Sequence, residues 1–374
     1  MLVAHTEQNK PFILDSSIPH TTLHQLRKSN KFYCPLCRQP LLLKIGSLKI
    51  PHFAHYSKSN CENQFSERES AMHLKGKEQL YSLFKALEME PELEPYLPNV
   101  KQRPDILLKG NTTQRIAVEF QCSPISAEKL INRNNGYKRE DIQPIWIPIT
   151  PDKIMKKGIR KVSISKNHQQ FKVTASHHPY IMSYNPKMRQ FFYISNPVYL
   201  HGNSFIAKVQ TIPLTTQKFP FYLPKPITNE EFHQYWQILQ QTKHNYLQKR
   251  VLFTRSGLND LLLRSAYELR MNLHSLPNYI GVPLKGSEVL KLSCIDWQLA
   301  IFYFLHLTKI ELRQMKGETL YYFLKWANLP QSRIAYEAVS NYCDILEELS
   351  IQHCYQTIEE EKLLAVLYHH FLAM

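Results

Sequence analysis

Three groups of residues in this sequence have types and spacings that could do chemistry. The first is Cys34-Pro-Leu-Cys37, followed by His52-Phe-Ala-His55 and Cys61. A CxxC places two thiolates on one tight turn, and zinc takes four sulfur or nitrogen ligands in a tetrahedron. The segment offers five donors, so one histidine is spare or supports a ligand from outside, with a slight preference for His55 over His52 as the fourth ligand. A structural zinc is what a module of about 60 residues with few large apolar side chains needs in order to fold. The competing reading, a redox pair, lacks the surrounding βαβ pattern.

The second group is Arg103-Pro104-Asp105-Ile106 with Val118-Glu119-Phe120-Gln121. On the two strands of a hairpin, Asp105 and Glu119 are expected to converge as hard oxygen ligands for Mg²⁺ or Mn²⁺, with Gln121 projecting from the same face as Glu119. Such a metal lowers the pKa of a bound water and stabilises charge on a scissile phosphate. The plainer alternative is that Pro104-Asp105 is only a turn and that Glu119 is salt-bridged to a nearby Arg or Lys. The third group is Glu69, His73 and Lys77, spaced by four on the stripe that carries Leu80 and Phe84. Polar groups on a buried face need partners, so Glu69 or His73 is expected to point toward the metal or the phosphate, and Lys77 to supply a positive charge. The alternative is that all three flank the stripe and are solvated.

The elements that must position these groups follow from periodicity. Residues 1–62 read as a small β-rich module of short alternating segments. A helix is predicted from Ser66 to Leu87, closed by Pro91, with Gly76 as an unfavourable interior residue. Asp105–Leu108 and Ile116–Phe120 read as a hairpin turning at 110–113, residues 126–140 as a helix, and Pro144–Ile149 as a buried strand despite its prolines. Further strands are predicted at Gln190–Ile194 and Ser204–Val209. Proline-rich Pro213–Pro226 reads as a linker, and everything after Asn229 is helical in pattern, including Asn259–Leu273 and Glu359–Leu372. The expected organisation is a zinc-binding module at 1–62, an α/β nuclease-like domain at 63–222 and an all-α domain at 223–374.

Composition constrains the partner. The 374 residues hold 46 Lys and Arg against 31 acids, a formal charge of +15, with a pI near 9.3. That balance favours a polyanion bound through phosphate contacts and counterion release. Arg133, Tyr137, Lys138 and Arg139 on the helix after the hairpin are candidate DNA contacts, as is the run Lys153, Lys156, Lys157, Arg160, Lys161 and Lys166; an ordinary solvated basic face is the alternative. The first ten residues lack the apolar core of a signal peptide, and the longest apolar run, Leu299–Leu307, is too short to span a bilayer, so a cytoplasmic protein without membrane insertion is expected. Seven cysteines, three of them within the first 61 residues, argue for metal rather than disulfides. Cys122, Cys294, Cys343 and Cys354 are expected to be buried thiols.

With Cys34-Pro-Leu-Cys37, His52-Phe-Ala-His55, Cys61, Pro104-Asp105 and Glu119-Phe-Gln121 in place, the chain resembles the CoiA family of competence proteins of Gram-positive bacteria over its whole length. The resemblance implies a restriction-endonuclease-like core of the PD-(D/E)XK type over residues 66 to about 150. It makes Asp105 and Glu119 the metal-binding acids and puts Gln121 at the position of the water-orienting lysine. Glutamine cannot supply that cation, so Lys77 or Lys138 would have to. It further implies action on incoming single-stranded DNA during natural transformation, in concert with a strand-exchange recombinase. Two functions stay open: a metal-dependent nuclease, or a mediator whose nuclease fold holds DNA or loads the recombinase without turnover. A third reading is a basic zinc protein that binds RNA or anionic lipid.

Overall fold

The structure is a computed structural model, and it describes residues 1–374 apart from Ser16, Ser47, 57–60, 62–68, 110–113, Met155, 175–178 and 373–374. The hairpin turn expected at 110–113, the stretch leading to Cys61 and the expected helix start at Ser66 fall outside the described residues. Among those described, the chain is a mixed α/β protein with three sheets followed by a helical half.

The first sheet, in the order β2-β1-β3-β4-β5, contains β1 (Val3–Thr6), β2 (Pro11–Ile13), β3 (Phe32–Tyr33), β4 (Pro40–Lys44) and β5 (His52–His55). Helix α1 (His20–Ser29) links β2 to β3. Strict alternation along β4 buries Leu41 and Leu43 beside Phe32 and Phe53, as expected for a sheet with one covered face.

Helix α2 (Ala71–Ala86) begins later than its periodicity predicts, because Ser70 caps it by accepting a hydrogen bond from His73 N at 3.1 Å. Glu69 therefore lies just outside the helix rather than on its stripe. Gly76 is explained by contact: a Cβ there would lie 2.1 Å from the Phe120 ring, so glycine lets α2 approach the second sheet closely.

That second sheet runs β6-β7-β8-β9, from β6 (Glu92–Leu93), β7 (Ile106–Lys109) and β8 (Arg115–Gln121) to β9 (Ile142–Pro148), with β9 parallel to β8. Helix α3 (Ala127–Arg139), capped by Ser126, crosses from β8 to β9. One sheet face, with Ile106, Leu108, Val118 and Phe120, packs on α2; the other, with Leu107 and Ala117, packs on Tyr137 of α3. Strand β9 lies at the edge and is only partly buried, which is where Pro144 and Pro148 can forgo a donor.

The third sheet, β10-β13-β12-β11, is antiparallel: β10 (Gly158–Ser163), β11 (Tyr180–Asn185), β12 (Gln190–His201) and β13 (Ser204–Pro213), with the short helix α4 (Lys166–Gln169) between β10 and β11. Its last two strands run several residues past the expected segments. An apolar core runs without interruption from Leu2 and Phe53 through α2 and β8 to Tyr184 and Phe191 of the third sheet. The segment read as a linker joins that core, with Phe219 and Phe221 edge-on to Phe84, both at 6.2 Å.

The helical half comprises α5 (Asn229–Phe253), α6 (Leu261–Glu268), α7 (Cys294–Thr308), α8 (Glu318–Trp326), α9 (Arg333–Glu348) and α10 (Glu360–Leu372). The helix expected over 259–273 is the shorter α6 flanked by 3-10 turns, with Asp260 as its cap. The apolar run at 299–307 lies in α7, the central and almost fully buried helix. These helices pack on Val198, Leu200 and Ile206 of the third sheet, next to a register shift in β12 between Ser195 and Val198. Among the described residues no helix is long and apolar enough to cross a membrane.

Replacing Gly76 by alanine tests the close approach. Helix propensity alone would gain about 1 kcal/mol, whereas overpacking against a buried ring costs about 1–3 kcal/mol. A fall in Tm is expected; an unchanged or higher Tm in Gly76→Ala would show that Phe120 yields freely.

Candidate metal centres and their charge network

The sulfur site is built by a turn and a strand. After β3 the chain reverses, with Cys34 N donating to Gln39 O at 2.9 Å and Arg38 N donating to Cys34 O at 3.0 Å, so Cys34 and Cys37 face the same space. The Cys34, Cys37, His55 and Cys61 ligand atoms all lie within 4.8 Å of one another, and Cys37 Sγ is 3.4 Å from His55 Nε2. Burial raises the Cys34 pKa, while the amides of Cys37 and Leu36 hydrogen-bond its sulfur in the opposing sense. His55 is pushed below its usual value by burial and then by the Arg103 charge, so its ring is neutral and able to ligate. The donor set of three thiols and one imidazole fits Zn²⁺. His52 is not part of the cluster: it lies three residues from His55 on a strand, hence on the other face, and its Nδ1 is 3.0 Å from Ile50 O.

The second cluster is made of Glu69, His73 and Asp105, whose ligand atoms also lie within 4.8 Å of one another. His73 Nε2 is 3.1 Å from Asp105 Oδ2, and Nδ1 is 3.7 Å from Glu69 Oε1. Phe120 N donates to Asp105 Oδ2 at 2.9 Å, which fixes the carboxylate against β8. Beneath them Lys77, 1% exposed, is ion-paired to Glu69 at 2.5 Å, to Asp105 at 3.6 Å and, more tightly, to Glu94. Its solvated alternative is thereby corrected: Lys77 is at the heart of the cluster. Glu94 also accepts from Leu2 N at 3.2 Å, and the α-ammonium of Met1 donates to Glu69 at 2.5 Å. Glu94 had no distinguishing signal in Pro91-Glu-Leu-Glu-Pro95.

Electrostatics follow from this packing. Burial alone would raise the Asp105 pKa, but His73 and Lys77 outweigh it and hold the carboxyl well below its usual range. Burial would lower Lys77, yet Glu94, Glu69 and Asp105 raise it, so the ammonium stays charged. His73 is raised, because Asp105 overcomes the effect of burial.

Glu119 stands apart from these donors. Its carboxylate is ion-paired to Arg133 and accepts from the Tyr137 hydroxyl, so the expected convergence of Asp105 with Glu119 is replaced by that of Asp105 with Glu69 and His73. Burial raises the Glu119 pKa against the pull of Arg133. Gln121 is half-buried, and its Nε2 donates to Ser123 O at 2.7 Å. Among the expected DNA contacts, Tyr137 is corrected to a core residue and is fully buried. Arg133 is held by Glu119 and by Arg103 O at 3.2 Å, with its guanidinium over the Tyr137 and Trp146 rings. Lys138, Arg139, Lys156 and Lys157 are exposed. Cys294, Cys343 and Cys354 are buried, and Cys122 is only partly so.

The sulfur cluster makes a direct prediction. Purified protein should carry about one equivalent of zinc, retained in His52→Ala and lost in His55→Ala or Cys34→Ser when each is assayed by elemental analysis. Retention of zinc in folded Cys34→Ser would remove that residue from the ligand set.

Comparisons with known proteins find two domains of one family in this chain. Residues 16–64 match the family described as "Competence protein CoiA, N-terminal domain", and residues 69–226 match "Competence protein CoiA, nuclease-like domain". The competence protein CoiA of Bacillus subtilis (strain 168) is 31% identical over 284 residues, which cover 75% of this chain and 74% of that protein. No solved structure matches. With both family domains matched in order and a relative aligned over three quarters of its length, the chain belongs to the competence protein CoiA family.

Proposed function

We propose that this protein is a metal-dependent DNA nuclease of natural competence. It acts on internalised single-stranded DNA and promotes its recombination with the help of a strand-exchange recombinase. The observation that carries the reading is the convergence of Glu69, His73 and Asp105 beside the buried Lys77 ammonium. The order α2, β7–β8 hairpin, α3, parallel β9 supports a restriction-endonuclease-like core. Two carboxylates and an imidazole favour Mn²⁺ over Mg²⁺, since imidazole is a softer ligand than water or carboxylate. A divalent cation bound there supplies Lewis acidity toward the phosphate oxygens. Lys77 provides the positive charge that Gln121 lacks, and Phe120 N together with His73 orients Asp105. Exposed Lys138, Arg139, Lys156 and Lys157 offer contacts to the phosphodiester backbone.

A mediator that holds DNA without cutting it is the second reading, and one observation favours it: Glu119 is engaged by Arg133 and Tyr137, while Lys77 already draws on the oxygens of Glu69 and Asp105. Cleavage of labelled single-stranded DNA with Mn²⁺, Mg²⁺ or chelator separates the two. For the nuclease, Asp105→Ala should lower the rate by at least roughly a hundredfold with DNA binding retained. Tight binding with no metal-dependent cutting by the wild type would leave the mediator; equal cutting by Asp105→Ala would refute the site.

The pH dependence has a definite sign. Because the folded pKa of His73 lies above the ordinary value near 6.5, metal binding, which needs the neutral ring, should be weak at and below about pH 6.5 and tighten as pH rises through the raised pKa. In chelated protein the protonated His73–Asp105 pair contributes stability that is present below pH 6.5 and lost as pH rises through the folded value. Mn²⁺ titration and thermal melts across that window should show the opposed trends, and His73→Gln should abolish both.

A further inference from the structure

The helical half carries a surface that the nuclease reading does not use. Helix α5 ends at Phe253, and the chain passes through a 3-10 turn at Gly257–Asn259 before Asp260 caps α6. Along Val251–Asn259 every residue but Thr254 is exposed. The exposed side chains include Leu252 and Phe253, both 74% exposed, Leu258 at 51% and Val251 at 44%. Gly257 adopts φ +52°, and a Cβ built there would meet nothing within 4 Å, so the turn stands open to solvent.

The charges within the tip's own sequence are of one sign. No acidic residue occurs from Lys249 to Asn259, and Lys249, Arg255 and Arg264 are all exposed. The nearest acid, Asp260, is ion-paired to Arg250 at 2.5 Å and so is already compensated. Several exposed large apolar side chains within ten residues, flanked in sequence by exposed cations, are the composition of a binding surface. Nucleic-acid binding of this kind relies on stacking faces, and of the four apolar side chains only Phe253 has one. Aliphatic side chains with a cationic rim suit an anionic bilayer: the apolar groups enter the acyl boundary while Lys and Arg stay at the headgroup phosphates.

We propose that the tip formed by residues 249–258 docks this protein on an anionic phospholipid surface without crossing it. The proposal does not depend on catalysis at the carboxylate cluster. Each basic residue near such a surface adds roughly fivefold to partitioning, and withdrawal of two large apolar side chains should remove at least roughly tenfold.

Flotation of the full-length protein with phosphatidylcholine vesicles, alone or mixed with phosphatidylglycerol, tests this. Wild type should float with the mixed vesicles only. The Leu252→Ser/Phe253→Ser variant should lose that binding at least tenfold while its circular dichroism, melting temperature and single-stranded DNA binding stay unchanged, and Arg255→Glu should weaken flotation in the same direction. Failure of the wild type to float, or flotation of the double variant like wild type, would overturn the proposal. So would a double variant that still floats but loses DNA binding, or one that still floats but changes oligomeric state by light scattering; these outcomes would give the tip to nucleic acid or to a second copy.

Discussion

A single buried cation organises the centre of this molecule. An ammonium withdrawn from water is tolerated only among opposite charges with good hydrogen-bond geometry, and Lys77 obtains three carboxylates from three separate segments: Glu69 before α2, Glu94 after β6 and Asp105 before β7. The helix is therefore locked to the sheet by charge as well as by the contact of Gly76 with Phe120. Glu94 adopts φ 51°, an uncommon conformation for its type, and its N–H donates to Asp105 O at 3.0 Å. Two of the carboxylates that grip Lys77 are thus joined through the backbone as well.

One cation lies near both candidate metal centres. Arg103, two residues before Asp105, interacts electrostatically with Glu94, Glu69 and Asp105 on one side, and with Cys34 and His55 on the other. The sulfur site and the carboxylate site share an electrostatic environment although their ligands come from different sheets. Glu119 belongs to a separate arrangement on the opposite face of β8, where Arg133 and Tyr137 of α3 meet it.

How much of this was legible in the sequence depended on the range of the interaction that decides each residue. The CxxC with its downstream His and Cys is nearly local, and its residues meet. The choice between His52 and His55 needed strand alternation, with Phe53 marking the inward face. The stripe of His73, Lys77, Leu80 and Phe84 gave the buried face of α2, but the cap at Ser70, a better helix start than any periodicity, moved Glu69 off it. Glu94 was invisible, since its partners, the Lys77 ammonium and the Leu2 amide 92 residues away, are brought to it only by the fold, and nothing local separates it from Glu92. A basic helix makes Tyr137 read as a DNA contact, whereas its position opposite Ala117 and Leu107 is set by the sheet beneath it. The proline-rich segment likewise reads as a tether by composition and acts as packing because Phe219 and Phe221 find Phe84.

The contact between Leu2 N and Glu94 is a small one, yet it ties the first residues of the chain to the carboxylate cluster. Because Leu2, just before the first sheet, donates a hydrogen bond to the carboxylate that balances Lys77, and that sheet shares one apolar core with α2 and β8, exchanging this part for an unrelated module would disturb the charge balance of the carboxylate cluster. The two parts are therefore one physical unit, whose seam runs through the carboxylate cluster.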